Sequence, residues 1–132
     1  MEMRIYFDGN KKVNAEFNGF TVKTDQPVRS GGEGTAPAPY DMFLAALGTC
    51  AGIYIKGFCD SRGLPTDGVE LEQRIVWDPI KQKIGTIELD IKVPPTFPEK
   101  YREALVSTAS LCAVKKTLMD PPSFDIKTVV TE

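Results

Sequence analysis

The chain contains no histidine. That absence removes every Ser-His-Asp or Cys-His nucleophile arrangement and every metal site that needs an imidazole. Cysteine is scarce: Cys50, Cys59 and Cys112 are an odd number with no CxxC pair, which excludes a disulfide scaffold and a zinc ribbon. Positive charge is not in excess either, since 16 Lys and Arg stand against 18 Asp and Glu for a net charge of -2, with bases and acids interspersed. A general nucleic-acid binder needs a clustered basic surface, so no nucleic-acid partner is expected. The uncharged run from Met42 to Ile55 spans 14 residues, short of the roughly 20 needed to cross a bilayer. The opening Met-Glu-Met-Arg-Ile-Tyr has no basic region followed by an apolar segment and a small-residue cleavage site. A soluble cytoplasmic protein with no membrane partner is the expectation, folded as a single domain over residues 1–132 around one core.

What is present is organised around Pro39 to Gly63, read as PYDMFLAALGTCAGIYIKGFCDSRG. Small residues (Ala45, Ala46, Gly48, Thr49, Ala51, Gly52) alternate there with Leu44, Leu47, Ile53 and Ile55. A helix apolar on every side is expected to be buried on every side. Pro39 suits the first turn, where its missing amide hydrogen is not needed, and Gly63 suits a C-terminal cap. The small residues would let neighbouring backbones come close around Cys50.

The flanking segments alternate in the period of strands. Met3–Phe7, Val13–Phe17 and Phe20–Thr24 form an expected three-stranded meander, with Asp8-Gly9 and Asn18-Gly19 at its turns. Residues 25–38, DQPVRSGGEGTAPA, are rich in Gly and Pro without periodicity and carry a single Arg, which predicts a long functional loop. Val69–Trp77 and Ile84–Val93, joined by DPIKQK, predict a second antiparallel hairpin. Thr96-Phe97-Pro98-Glu99 has the form of a capping box opening a second helix from about Phe97 to Met119. Tyr101, Leu105, Ala109 and Cys112 lie near one stripe of it, and Asp120-Pro121-Pro122 stops it. Phe124–Val130 alternates as a last strand. The order βββ-α-ββ-α-β gives an α+β class with antiparallel sheets around two helices.

With no other nucleophile arrangement available, the chemistry rests on the thiols. Cys50 and Cys59 are nine residues apart, which puts them on opposite helix faces about 13 Å from one another and excludes a disulfide between them. Cys59, beside Asp60 at the helix end, is a bystander. Cys50 and Cys112 occupy different helices and meet if those helices pack side by side. An isolated Cys in an Ala- and Gly-rich helix is ordinarily a small hydrophobe, and apolar burial makes a thiol inert. Activation of Cys50 would have to come from outside its helix: Arg29 lies in the preceding loop, with Glu33 and Asp41 available to orient a guanidinium. Cys112 has Lys115 and Lys116 three and four residues on, on its side of the helix, which are expected to depress its pKa somewhat; the alternative is a solvated helix end whose lysines simply meet the C-terminal dipole.

Two motifs, GTAPAPYDMFLAALGTC and LCAVKKTL some 60 residues later, resemble those of the OsmC/Ohr family, the osmotically inducible protein C and organic hydroperoxide resistance proteins. The resemblance covers nearly the whole chain, including the order of strands and helices. It implies an OsmC-like fold in an intertwined homodimer, and a thiol peroxidase that needs no cofactor, neither metal nor flavin. In that chemistry Cys50 attacks a small-molecule organic hydroperoxide and becomes a sulfenic acid. Cys112 resolves it as an intramolecular disulfide, and an external dithiol such as a lipoylated protein reduces the pair. A resolving thiol protects the sulfenate from irreversible over-oxidation. Apolar walls from Phe43, Leu47, Ile53 and Tyr54 would suit an organic hydroperoxide. The resemblance also assigns Arg29 to thiolate stabilisation and a glutamate to holding that arginine. Here the acid near the helix start is Asp41, nine residues before Cys50, and Ala113 stands where the family usually has Pro. An alternative that the residues leave open is a non-enzymatic OsmC-like module that senses redox state or binds an apolar ligand.

Overall fold

The computed structural model describes all 132 residues. Its order is β1 (Arg4–Phe7), β2 (Val13–Phe17), β3 (Phe20–Thr24), α1 (Pro39–Ser61), β4 (Glu70–Asp78), β5 (Lys83–Lys92), α2 (Arg102–Ala109) and α3 (Ala113–Met119). The strands form a three-stranded antiparallel sheet, β1-β2-β3, and a two-stranded one, β4-β5. By contact density the chain divides into two compact units, Met1–Ala46 and Leu47–Glu132.

In the first unit, Asn18-Gly19 makes the two-residue turn that pairs Phe17 with Phe20 and so sets the register of β2 and β3. Ile5 pairs with Ala15 and Ala15 with Val22, so one face of the sheet is apolar. The other face carries Arg4 bonded to Glu16, and Asn14 donating to Asp8. Phe7 on the apolar face is 88% exposed.

In the second unit, α1 buries Leu47, Ala51, Ile55 and Cys59, one residue every four and therefore a single stripe. Ala51, Ile55 and Cys59 form a core with Phe97, Leu105 and Ala109, flanked by Leu71, Leu89 and Ile91 from the inner face of the hairpin. Full burial of Ile55 or Leu105 is worth about 1.5–3 kcal/mol each. The outer face of the hairpin is a charge ladder in which Arg74 bonds Glu72, Glu88 and Asp90, and Lys92 bonds Glu72. Helix α1 ends in a Schellman motif: the Leu64 N–H donates to the Cys59 carbonyl and the Gly63 N–H to that of Asp60. Gly63 takes the left-handed conformation this requires, φ 64°.

Four sequence expectations need correcting. Burial of α1 on every side is not found: Ile53 is 64% exposed. By length and mean hydropathy of 1.5 this 23-residue helix passes the test for a bilayer span, as soluble core helices also do, so its dimensions exceed those of the uncharged run alone. The second helix is not continuous from Phe97 to Met119. A 3-10 turn at Glu99–Tyr101 leads into α2, and a break at residues 110–112 separates α2 from α3. The capping box at Thr96 does not form, because the turn there closes through backbone bonds from Phe97 to Pro94 and from Tyr101 to Pro98. Finally, Phe124–Val130 is exposed and forms no strand: it pairs with none of the edges of the two sheets.

Candidate functional site

Helix α1 carries Cys50 one position before the buried Ala51, so the thiol flanks the core stripe instead of entering it and is half-buried. At about 100° per residue, Ile53 and Tyr54 fall on the same side of the helix as Cys50. Both are exposed apolar residues, so the surroundings of this sulfur contain no charge from its own helix within a turn. The close approach of neighbouring backbones expected of the small residues is not found: a Cβ at Gly48 would lie 3.1 Å from the side-chain oxygen of Gln73, and one at Gly52 would meet nothing within 4 Å.

The other two thiols are shut in. Cys59 is 0% exposed in the core, and burial first, then the neighbouring Asp60 carboxylate, pushes its thiol pKa up. This matches the reading of Cys59 as a bystander. Cys112 is 2% exposed. It is not inside a helix: it is the N-cap of α3, with extended backbone, and its sulfur accepts the backbone N–H of Lys115 at 3.4 Å. The sequence expectation of a Cys112 inside one continuous helix is thus corrected: the residue stands at the start of α3, one position outside it. All three cysteines are free thiols.

Arg29 lies on a 3-10 turn, Val28–Ser30, inside the loop that follows β3. Its guanidinium is exposed and forms no ion pair. The expectation that Glu33 orients it is overturned: Glu33 pairs instead with Lys12, the residue just before β2, at 2.7 Å. Asp41 is exposed in the first turn of α1 and also has no ion pair. The regular helix keeps Asp41 nine residues, hence about half a turn out of phase, from Cys50.

The loop itself contains a residue that sequence reasoning passed over. Asp25 is fully buried. Its carboxylate accepts the Gln26 N–H at 2.7 Å, the Thr35 N–H at 3.1 Å and the Thr35 hydroxyl at 2.6 Å. Those donors, the Thr35 hydroxyl foremost, hold its pKa down at about 2. An Asp opening a segment dense in Gly and Pro was the available signal, since such a side chain readily ties a turn together. No cluster of ligating side chains suitable for a metal is present in the chain.

Residues 32–127 match the family model for OsmC-like proteins. No match was found among the curated proteins. Among solved structures, a protein from Psychrobacter arcticus superposes with a TM-score of 0.73 at 20% identity, over 87% of this chain and 85% of that one. An OsmC-like protein from Mycoplasma pneumoniae gives 0.62 at 12% identity, over 91% and 87%. The organic hydroperoxide resistance protein OsmC of Legionella pneumophila gives 0.54 at 19% identity, over 89% of each chain. These similarities agree on an α+β fold with antiparallel sheets and helices, and with the family match spanning most of the sequence the chain belongs to the OsmC-like protein family.

Proposed function

We propose that the protein is a thiol peroxidase that reduces organic hydroperoxides, with Cys50 as nucleophile and Cys112 as resolving thiol. The observation that carries this reading is the sorting of the thiols: Cys50 alone is reachable, on an apolar flank of α1, while Cys59 is sealed in the core. The Cys50 thiolate attacks the outer peroxide oxygen, the O–O bond breaks, and the departing alkoxide takes a proton to leave as an alcohol. Cys50 is then a sulfenic acid. The Cys112 thiol attacks that sulfur, a disulfide forms, and water departs. An external dithiol returns two electrons and two protons, completing the cycle. Cys112 caps the short helix α3, directly after the break that follows α2. Arg29 supplies the positive charge that favours the thiolate.

The working unit is a homodimer. Support comes from apolar surface that the single chain leaves uncovered: Phe7 and Phe20 on the first sheet, Ile53 on α1, and Phe124 and Ile126 in the unpaired C-terminal segment. A second copy would cover such faces.

The test is steady-state turnover of cumene hydroperoxide with dihydrolipoamide as reductant. Cys50→Ser is expected to abolish turnover, and Cys112→Ser to leave a single oxidation event per chain without multiple turnovers. Full turnover in Cys50→Ser would overturn the assignment.

A second reading is favoured by one observation. A groove of about 1190 Å³ runs along the hairpin and α2, lined by Ile84, Ile87, Leu89, Leu105 and Met119 with Arg102 and Lys115, and neither Cys50 nor Cys112 lines it. A non-enzymatic module holding an apolar ligand would use that groove, and it would show ligand binding without peroxide turnover.

A further inference from the structure

We infer that Asp25 is a positioning residue for Arg29, closing the loop so that the guanidinium is presented outward and unpaired. The inference rests on the reading of Arg29 as the cation that favours the Cys50 thiolate.

A buried carboxylate with no cation against it is expensive unless its oxygens are fully bonded. Asp25 meets that condition with neutral donors only: the Gln26 N–H on one oxygen, and both the N–H and hydroxyl of Thr35 on the other. Its own N–H donates to the Pro37 carbonyl at 3.2 Å. One residue therefore joins the start of the loop to its end.

Between those ends the backbone is tied at each step. The Pro27 carbonyl accepts from Ser30 at 2.9 Å and Gly32 at 3.1 Å, that of Val28 from Gly31 at 3.0 Å, and that of Gln26 from Gly34 at 3.0 Å. Asn10 holds the Gly31 carbonyl from outside at 3.2 Å. Glu33, the loop's other charged side chain, is engaged by Lys12. Arg29 is left as the one charged side chain of this backbone-tied loop with neither an ion pair nor a side-chain hydrogen bond. An Asp commonly ties a turn together, and here the turn it ties is the one that carries Arg29. A charge held in one place before the reaction costs no reorganisation during the chemical step.

The experiment measures iodoacetamide alkylation at Cys50 in the full chain, assigned by peptide mass, as the ratio of rates at pH 6 and pH 9. Arg29→Ala sets the scale, and removing a cation from a thiolate is expected to lower this ratio about tenfold. Asp25→Asn, which keeps the shape but loses the charge, should lower it at least about threefold, and Thr35→Val likewise. Thr35→Ser, which keeps the hydroxyl, should retain the original ratio. The double variant Arg29→Ala with Asp25→Asn should fall no further than Arg29→Ala alone, because both act through one group. If Asp25→Asn fails to fold, Thr35→Val and Thr35→Ser carry the test. A shifted ratio in Arg29→Ala with none in Asp25→Asn and Thr35→Val would overturn the positioning role alone. No shift in Arg29→Ala would overturn the thiolate-stabilising role of Arg29 and this inference with it, while leaving the turnover result for Cys50→Ser to stand or fall separately.

Discussion

Gly32→Ala is a severe test of how the Arg29 loop is built. A Cβ at position 32 would lie 1.9 Å from the Gln26 carbonyl oxygen, 2.5 Å from its carbon and 2.8 Å from its Cα. All three are backbone atoms, so no side chain can rotate aside. Ordinary contact begins at 3.4 Å, which requires a local displacement of about 1.5 Å, more than a hydrogen bond tolerates. The two bonds that cross this point, Gly34 to Gln26 at 3.0 Å and Gly32 to Pro27 at 3.1 Å, would both be lost. At about 1 kcal/mol net for each, the cost is about 2–3 kcal/mol, or a fall in Tm of about 8–12 °C for a chain of this size. The assay is thermal and urea unfolding followed by circular dichroism, with Gly31→Ala as the comparison. At Gly31 an added Cβ meets only the end of the Lys11 side chain, at 3.5 Å, so the cost is confined to its left-handed backbone, about 1–2 kcal/mol. A Gly32→Ala protein as stable as the parent would refute the account of a loop tied shut at Gln26.

Three further outcomes are expected. Because the folded pKa of Asp25 is depressed to about 2 from about 3.9 in an unfolded chain, its stabilising contribution is present above about pH 4 and is lost as pH falls toward 2. The urea midpoint of Asp25→Asn should therefore vary less over that window than the parent's, and an unchanged slope would show that the carboxylate is not the group responsible. Native protein treated with Ellman's reagent should show one fast thiol, Cys50, with Cys59 and Cys112 reacting at least about tenfold more slowly until denaturant is added; Cys59 reacting as fast as Cys50 would contradict its burial. Ile53→Lys should raise the dimer dissociation constant at least about tenfold, about 1.4 kcal/mol, in sedimentation equilibrium, and a dimer of undiminished affinity would place the interface elsewhere.

The strands were legible because alternation and turn chemistry act over a few residues. β2 and β3 lie where Val13–Phe17, Asn18-Gly19 and Phe20–Thr24 predict them, and β1, β4 and β5 differ by a residue at their ends. Helix α1 begins at Pro39 and is capped at Gly63 for equally local reasons. The break before Cys112 was not legible, since no Pro or Gly marks it. There the Ser110 hydroxyl bonds back to the Val106 carbonyl at 2.9 Å, and the Cys112 sulfur takes over a first-turn N–H of α3. Side chains thus satisfy what a continuous helix would have satisfied through its backbone. The tail shows the opposite case: Phe124–Val130 has the alternation of a strand, but strand formation depends on a partner that alternation cannot supply. Of the candidate site, Cys50, Cys112 and Arg29 stood out as the available thiols and the loop's single Arg, and the roles expected of them came from the family resemblance. The loop's true organiser, Asp25, became visible only when each buried acceptor was matched to its donors.

The most direct measurement is the intact mass of the protein after one equivalent of cumene hydroperoxide. Loss of two hydrogens within seconds, mapped to a bond between Cys50 and Cys112 and absent in Cys50→Ser, is the predicted result. Slow oxidation that persists in Cys50→Ser, or a rapid bond that leaves out Cys112, would contradict the account.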